Sequence, residues 1–190
     1  MSDLQKITPD DKWRMYGFTP YNMSPIQKAI QFGHAVVEYM VKYRTSLNSS
    51  AVINCLEWAE KNKTFIILNG GTTNMNIDRF GTMNMHLEFL QDEFPDWPLA
   101  TFHEPDFGDQ LTAVVFLVPE QVYNKKKFPD WIDVVRLFPE CEEFQSENLR
   151  DYAEAMKNEE HELYLAWVKN TGGDQIVKMR EFIQPFKLAN

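Results

Sequence analysis

The sequence predicts an α/β protein: a small mixed β-sheet of about four strands with helices on both faces, followed by a helical C-terminal extension. Three observations carry that expectation. Short apolar runs bounded by turn residues alternate with amphipathic stretches of helical length as far as Val118. The last two runs, LATFHEP and LTAVVFLV, are joined by a tight acidic turn containing Gly108, which makes those strands antiparallel and the sheet mixed. Beyond Pro119 the composition changes to helical patterns rich in acidic residues. A chain of 190 residues with 44% hydrophobic content can bury one good core and carry an extension. The expected division is an α/β core over residues 1–118 and a mainly helical appendage over 119–190, packed on the core or on a partner.

Each element has its own signal. After a polar start, KWRMYGFT (Lys12–Thr19) has the aromatic and apolar content of a first strand, closed by Pro20 and Asn22. Ser24, Pro25 and Gln27 then mark a helix start: a hydroxyl that accepts from a free N–H, a proline where no donor is lost, and a side chain placed for a capping box. From Pro25 to about Tyr43, Ile26, Ile30, Gly33, Val37 and Met40 recur at helical spacing and predict the buried face. SLNSS supplies a cap for a second helix over Ala51–Lys61, with Ile53, Leu56 and Trp58 inward. TFIIL is too short for a buried helix and suits an interior strand. NGGTTNMNIDRFG reads either as a mobile lid or as an ordinary excursion pinned by Met75, Ile77 and Phe80. A third helix over Thr82–Glu93 carries Met83, Leu87, Leu90 and Phe94 on one side and is stopped by Pro95 and Pro98. LTAVVFLV, apolar throughout, is expected at the sheet centre. In the appendage, WIDVVRLF is a short helix or strand, Asn148–Lys169 a single long helix broken by Gly172 and Gly173, and Gln175–Phe186 a last amphipathic segment.

Charge and composition exclude several classes. The formal charge is −9. Between Glu140 and Glu162, nine acidic residues face two basic ones; residues 1–118 hold fourteen acidic against nine basic. Neither half has the positive excess with which nucleic-acid binders release phosphate counterions. The one dense basic run, Lys125–Lys127, reads as a solvated loop, with a phosphate contact as the sharper alternative. Cys55, among Val52, Leu56 and Ala59, reads as a small buried apolar residue, and Cys141 has no CxxC partner, so neither a disulfide framework nor a zinc site is expected. His86, His103 and His161 show no metal-ligand spacing, and no cofactor motif is present. No long apolar run and no signal-peptide segment are seen, so the expectation is a cytoplasmic protein that does not contact a membrane.

The candidate chemistry lies on the first helix. Gln27, Gln31, His34 and Glu38, spaced four, three and four, form an uncharged hydrogen-bonding seam beside the apolar stripe. It is either a polar flank or the wall of a site to which the helix N-terminus adds backbone donors. The stretch NMSPIQKAIQFGHA, placed after a first strand, resembles the helix motif of the type-2 peptidyl-tRNA hydrolases, with Gln31, His34 and Ala35 in matching positions and Met23 before the helix. The turn Asp106, Phe107, Gly108, Asp109, Gln110 partly matches that family's Asp-x-Gly-x-Thr signature, and the likeness covers Trp13–Val118. The family's active-site lysine falls on Gln27, with Lys28 one step along, and its threonine falls on Gln110, with Thr112 close by.

What the resemblance implies is a small mixed-sheet fold and cleavage of the ester of peptidyl-tRNA. His34 would orient the attacking water, Asp106 would position it, and Gln31 would complete the catalytic set. Gln27, Lys28, Asn69 and Thr112 would bind substrate, with no metal or cofactor. The alternative is a catalytically inactive member of the fold that binds a nucleotide or RNA end, or a protein. Expected partners are tRNA or a nucleotide, and a second copy or another protein on the C-terminal helices, where Trp167, Phe182 and Phe186 would form an apolar face.

Overall fold

The computed structural model describes residues 12–44, 50–74, 76, 79–138 and 146–189. In chain order the elements are β1 (Arg14–Thr19), α1 (Pro25–Tyr43), α2 (Ser50–Glu57), a π-helical turn (Trp58–Asn62), β2 (Phe65–Asn69), α3 (Thr82–Glu93), β3 (Leu99–Glu104), β4 (Gln110–Val118), α4 (Glu120–Tyr123), α5 (Trp131–Val135), α6 (Ser146–Asn158), α7 (Glu162–Thr171) and α8 (Asp174–Ile183). Two compact units result. One is α/β, runs as far as Pro119 and takes back the chain from Pro185; the other is helical and spans Glu120–Gln184.

The sheet has four strands in the order β2-β1-β4-β3, with β1 and β2 parallel and both β4 pairings antiparallel, so it is mixed as expected. β4 lies inside the sheet, where Leu111–Val118 are all buried. TFIIL does not become an interior strand: β2 ends the four-stranded order. Its outer side is met by the end of the chain, where Asn69 N–H donates to Lys187 O and Ala189 N–H to Ile67 O, both at 2.9 Å, around an isolated Leu68–Leu188 bridge. A continuous apolar run reports covered faces and says nothing about how many strands flank it.

Helices cover both faces of the sheet. On one face the missing side chain of Gly17 lets α1 settle: a Cβ there would lie 2.2 Å from Val114 O and 2.8 Å from the Phe32 ring. On the other face Phe18 packs against His86 of α3 and against Phe186, with ring centroids 5.4 and 4.6 Å away.

The rotation of α1 corrects the sequence expectation. Its start is as predicted, with Ser24 accepting from Gln27 N–H and the Gln27 side chain accepting from Ser24 N–H. The sheet side, however, is Lys28, Gln31, Phe32, Ala35, Val36 and Tyr39, while Ile26, Ile30, Val37 and Met40 face water. The helix carries apolar residues on two sides, and the bed over Gly17, which accepts the Phe32 ring, selects one of them. Similarly, Ile53 and Leu56 of α2 are exposed while Ala51, Val52 and Cys55 are buried; of the three residues expected inward, Trp58 is the one that is, donating from Nε1 to Thr64 O at 3.2 Å. The helix widens into the π turn there and ends at Lys63, whose φ is 50°.

Helix α3 has the predicted bounds. The loop before it is laced to its start: Thr82 Oγ1 accepts from Thr72 N–H and donates to Gly70 O, and Asn84 Oδ1 accepts from Asn74 N–H. Met75 and Ile77, expected to pin this loop, lie outside the described residues, as does Cys141.

In the helical unit, Trp131, Val135, Leu149, Ala153 and Met156 form a core edged by Tyr164 and Trp167. The expected single helix from Asn148 to Lys169 is two. A break at Glu159–His161 contains Glu160 at φ 49°, and His161 caps α7 by accepting from Leu163 N–H. Arg180, 6% exposed, donates to Gln121 O, Phe128 O and Asp130 Oδ1. Burial opposes ionisation of Asp130, yet the hydrogen bonds and charges of Lys125 and Arg180 outweigh it and hold this carboxyl below its usual range. Two lysines of the basic run are engaged inside the unit, Lys125 with Asp130 at 2.5 Å and Lys127 with Glu120 at 2.7 Å. Of the aromatics expected to form an apolar face, Trp167 packs at a tilt on Trp131 within the helical unit and Phe186 packs on Phe18 within the α/β unit.

Candidate functional site

The polar seam of α1 meets the β3–β4 hairpin. Gln31 sits 6% exposed between them, with Nε2 donating to Glu104 Oε2 at 2.5 Å and Oε1 accepting from Thr112 Oγ1 at 2.8 Å. The donors and acceptors fix the amide's orientation. A carboxylate only accepts, so the NH₂ faces Glu104, and the threonine hydroxyl supplies its hydrogen to the opposite end. Phe102 O, 3.3 Å from Thr112 Oγ1, is a second and longer acceptor for the same hydroxyl. A bulge between Phe102 and His103 shifts the hairpin register just ahead of Glu104.

The remaining predicted residues are dispersed. His34 is exposed and rests on Phe102, ring centroids 4.5 Å apart, next to the Gln31 tie. Asp106 lies in the 3-10 turn Pro105–Phe107, exposed, ahead of Gly108, whose φ of 67° closes the hairpin. Gln27 is exposed and occupied in the α1 cap, whereas Lys28 turns to the sheet side and is 5% exposed. Asn69 is on β2, two strands from β4, with Oδ1 accepting from Gly71 N–H. Thus Gln31, Thr112 and His34 gather at one corner, while Asn69 serves its own turn.

Glu104 is the group sequence reasoning passed over as a partner for Gln31. Its signal was its place at the end of β3, two residues from Phe102 and so on the same face, the one that meets α1. An open cleft of about 330 Å³ runs beside β3, lined by Glu38, Val41, Lys42, Gln91, Leu99, Ala100 and Thr101. None of the predicted site residues lines it.

Against protein-family models, curated proteins and solved structures, the chain matches none. The corner is therefore read from its own chemistry. Among the described residues no three His, Cys, Asp or Glu side chains gather to hold a metal. Burial pushes the Cys55 thiol above its ordinary range, which keeps it protonated and a poor nucleophile. No helix among them is long and apolar enough to cross a membrane.

Proposed function

We propose that this chain is a non-catalytic protein-interaction module, built on an α/β unit that resembles the type-2 peptidyl-tRNA hydrolases without their chemistry. The observation that carries this is the occupied amide of Gln31. With Glu104 on one end and Thr112 on the other, the seam serves as a tie between α1 and the hairpin. Engaged at both ends, the amide is held in one orientation as a structural tie. Gln27, where the family has its lysine, closes the cap of its own helix, and a neutral amide in any case forms bonds about half as strong as a charged donor would. The strand and helix order through Val118 supports the likeness in architecture, and the charge of −9 favours a protein partner over tRNA.

The test is release of peptide from peptidyl-tRNA by the full chain and by His34→Ala and Asp106→Ala. Equal, background-level release from all three is expected; release by the parent chain that falls in His34→Ala overturns the proposal.

A second reading is favoured by Lys28, which is buried one turn before Gln31 on the side facing the sheet. In it, Lys28 would replace the displaced cation, His34 would take a proton from the attacking water, and Glu104 rather than Asp106 would hold Gln31 in place. That reading requires Lys28→Met to abolish a measurable hydrolysis rate.

A further inference from the structure

A helix lying on a sheet ordinarily turns its polar side to water. Helix α1 departs from this by carrying a second apolar line on its water side. Ile26 is 74% exposed, Val37 58% and Ile30 50%, with Met40 and Val41 continuing the line toward the C-terminal end. Ala29 and Gly33 fill the spaces between them, and both are exposed. Glu38 and Lys42 lie off this line, more than about 100° around the helix from Gly33, and the exposed Arg44 at the helix C-cap falls at its far end. At Gly33 the surface is open: a Cβ built there would meet nothing within 4 Å. The exposed side chains present apolar area on the order of 500 Å², within the range at which a patch on a monomer marks a contact surface.

We propose that this face joins two copies of the chain across a two-fold axis at Gly33. Two features select a second copy. Covering the face with itself buries about 1,000 Å² in total, which reaches the lower bound of a specific interface. The line is also self-complementary. With the helices antiparallel about Gly33, each Ala29 faces the partner's Val37 and each Ile26 faces the partner's Met40. A large residue then meets a small one on either side of a close glycine contact. Arg44, the charge at the end of this line, lies beyond the paired stretch Ile26–Met40 and stays in water. The sheet side of α1, with the Gln31 tie, is untouched.

The proposal specifies the partner for the interaction-module reading above and rests on it only for partner class. Its test reads mass and not hydrolysis, so the two fail separately. Sedimentation equilibrium of the full chain across the micromolar range is expected to approach twice the monomer mass. Ile30→Glu and Val37→Glu are expected to halve that mass at the same concentrations with unchanged far-UV circular dichroism, because both positions are exposed in a single copy. Gly33→Cys in a Cys141→Ser background is expected to form a disulfide-linked dimer on mild oxidation. A parent chain that stays monomeric throughout, dimers that persist in both glutamate variants, or failure of Gly33→Cys to cross-link overturns the proposal.

Discussion

Each unit is held together internally by its own chemistry. In the α/β unit the deepest polar tie is a neutral amide bridging Glu104 and Thr112, set beside a sheet whose inner strand β4 is almost wholly apolar. In the helical unit a buried guanidinium links two backbone carbonyls and a carboxylate beneath an aromatic core. The difference is one of scale: a small unit of short helices has less apolar surface to bury, and one charged side chain can join segments that packing alone would leave loose. The cost is that losing the carboxylate strands a buried guanidinium.

The largest expected effect tests that dependence. Arg180→Met should destabilise the helical unit by about 3 kcal/mol, since Asp130 and the Gln121 and Phe128 carbonyls lose their donor. Native-state hydrogen exchange should show α5 to α8 opening while β1 and β4 stay protected; equal loss of protection in both units would break the contrast. Next is Gly17→Ala, whose new methyl collides with Val114 O and Phe32 and should cost the α/β unit about 1–3 kcal/mol in a denaturant melt. Thr112→Val is smaller, about 1–2 kcal/mol, because it keeps the shape but leaves Gln31 Oε1 without its donor. An unchanged melt would mean that the tie fixes geometry and adds no stability.

The smallest effect concerns pH, and its sign separates the units. Burial holds His86 below its ordinary value, so the unfolded chain binds a proton there first. Stability of the α/β unit should therefore decline as pH falls below about 6.5. Asp130 is also held low, so its contribution is present above its unfolded value and is lost only as pH falls below about 4, through the lower folded one. Urea melts read separately for each unit at pH 7, pH 5 and below 4 should show α/β weakening first and helical weakening last. The reverse order would contradict both assignments.

Much of the fold was legible because it rests on local rules. The capping box at Ser24 placed the start of α1, Pro95 placed the end of α3, and the unbroken apolar run put β4 inside the sheet. The rotational setting of α1 was not legible. Its sequence holds one stripe through Ile26, Ile30 and Val37 and another through Phe32, Ala35, Val36 and Tyr39, and periodicity cannot rank them. The choice is made by Gly17, a residue on another element. Likewise, a continuous helix was expected through Glu160, where a left-handed turn depends on neighbouring packing. At the candidate site, resemblance singled out Gln31 but set the family's threonine on Gln110, with Thr112 only close by. Glu104 could not be paired with Gln31, because alternation says that it shares a face with Phe102 but not that this face packs on α1.

The short pairing of Leu188 with Leu68 has a topological consequence. It makes the helical unit an insertion of about 65 residues, anchored where it leaves β4 and again where the chain rejoins β2. When those helices melt, they remain a closed loop with less freedom than a dangling segment, so the sheet's rim acts as a clasp for a unit whose own residues it does not include. Cutting the backbone anywhere near Gln184 would release that loop, and the lost restraint would surface as easier melting of helices that keep every one of their side chains.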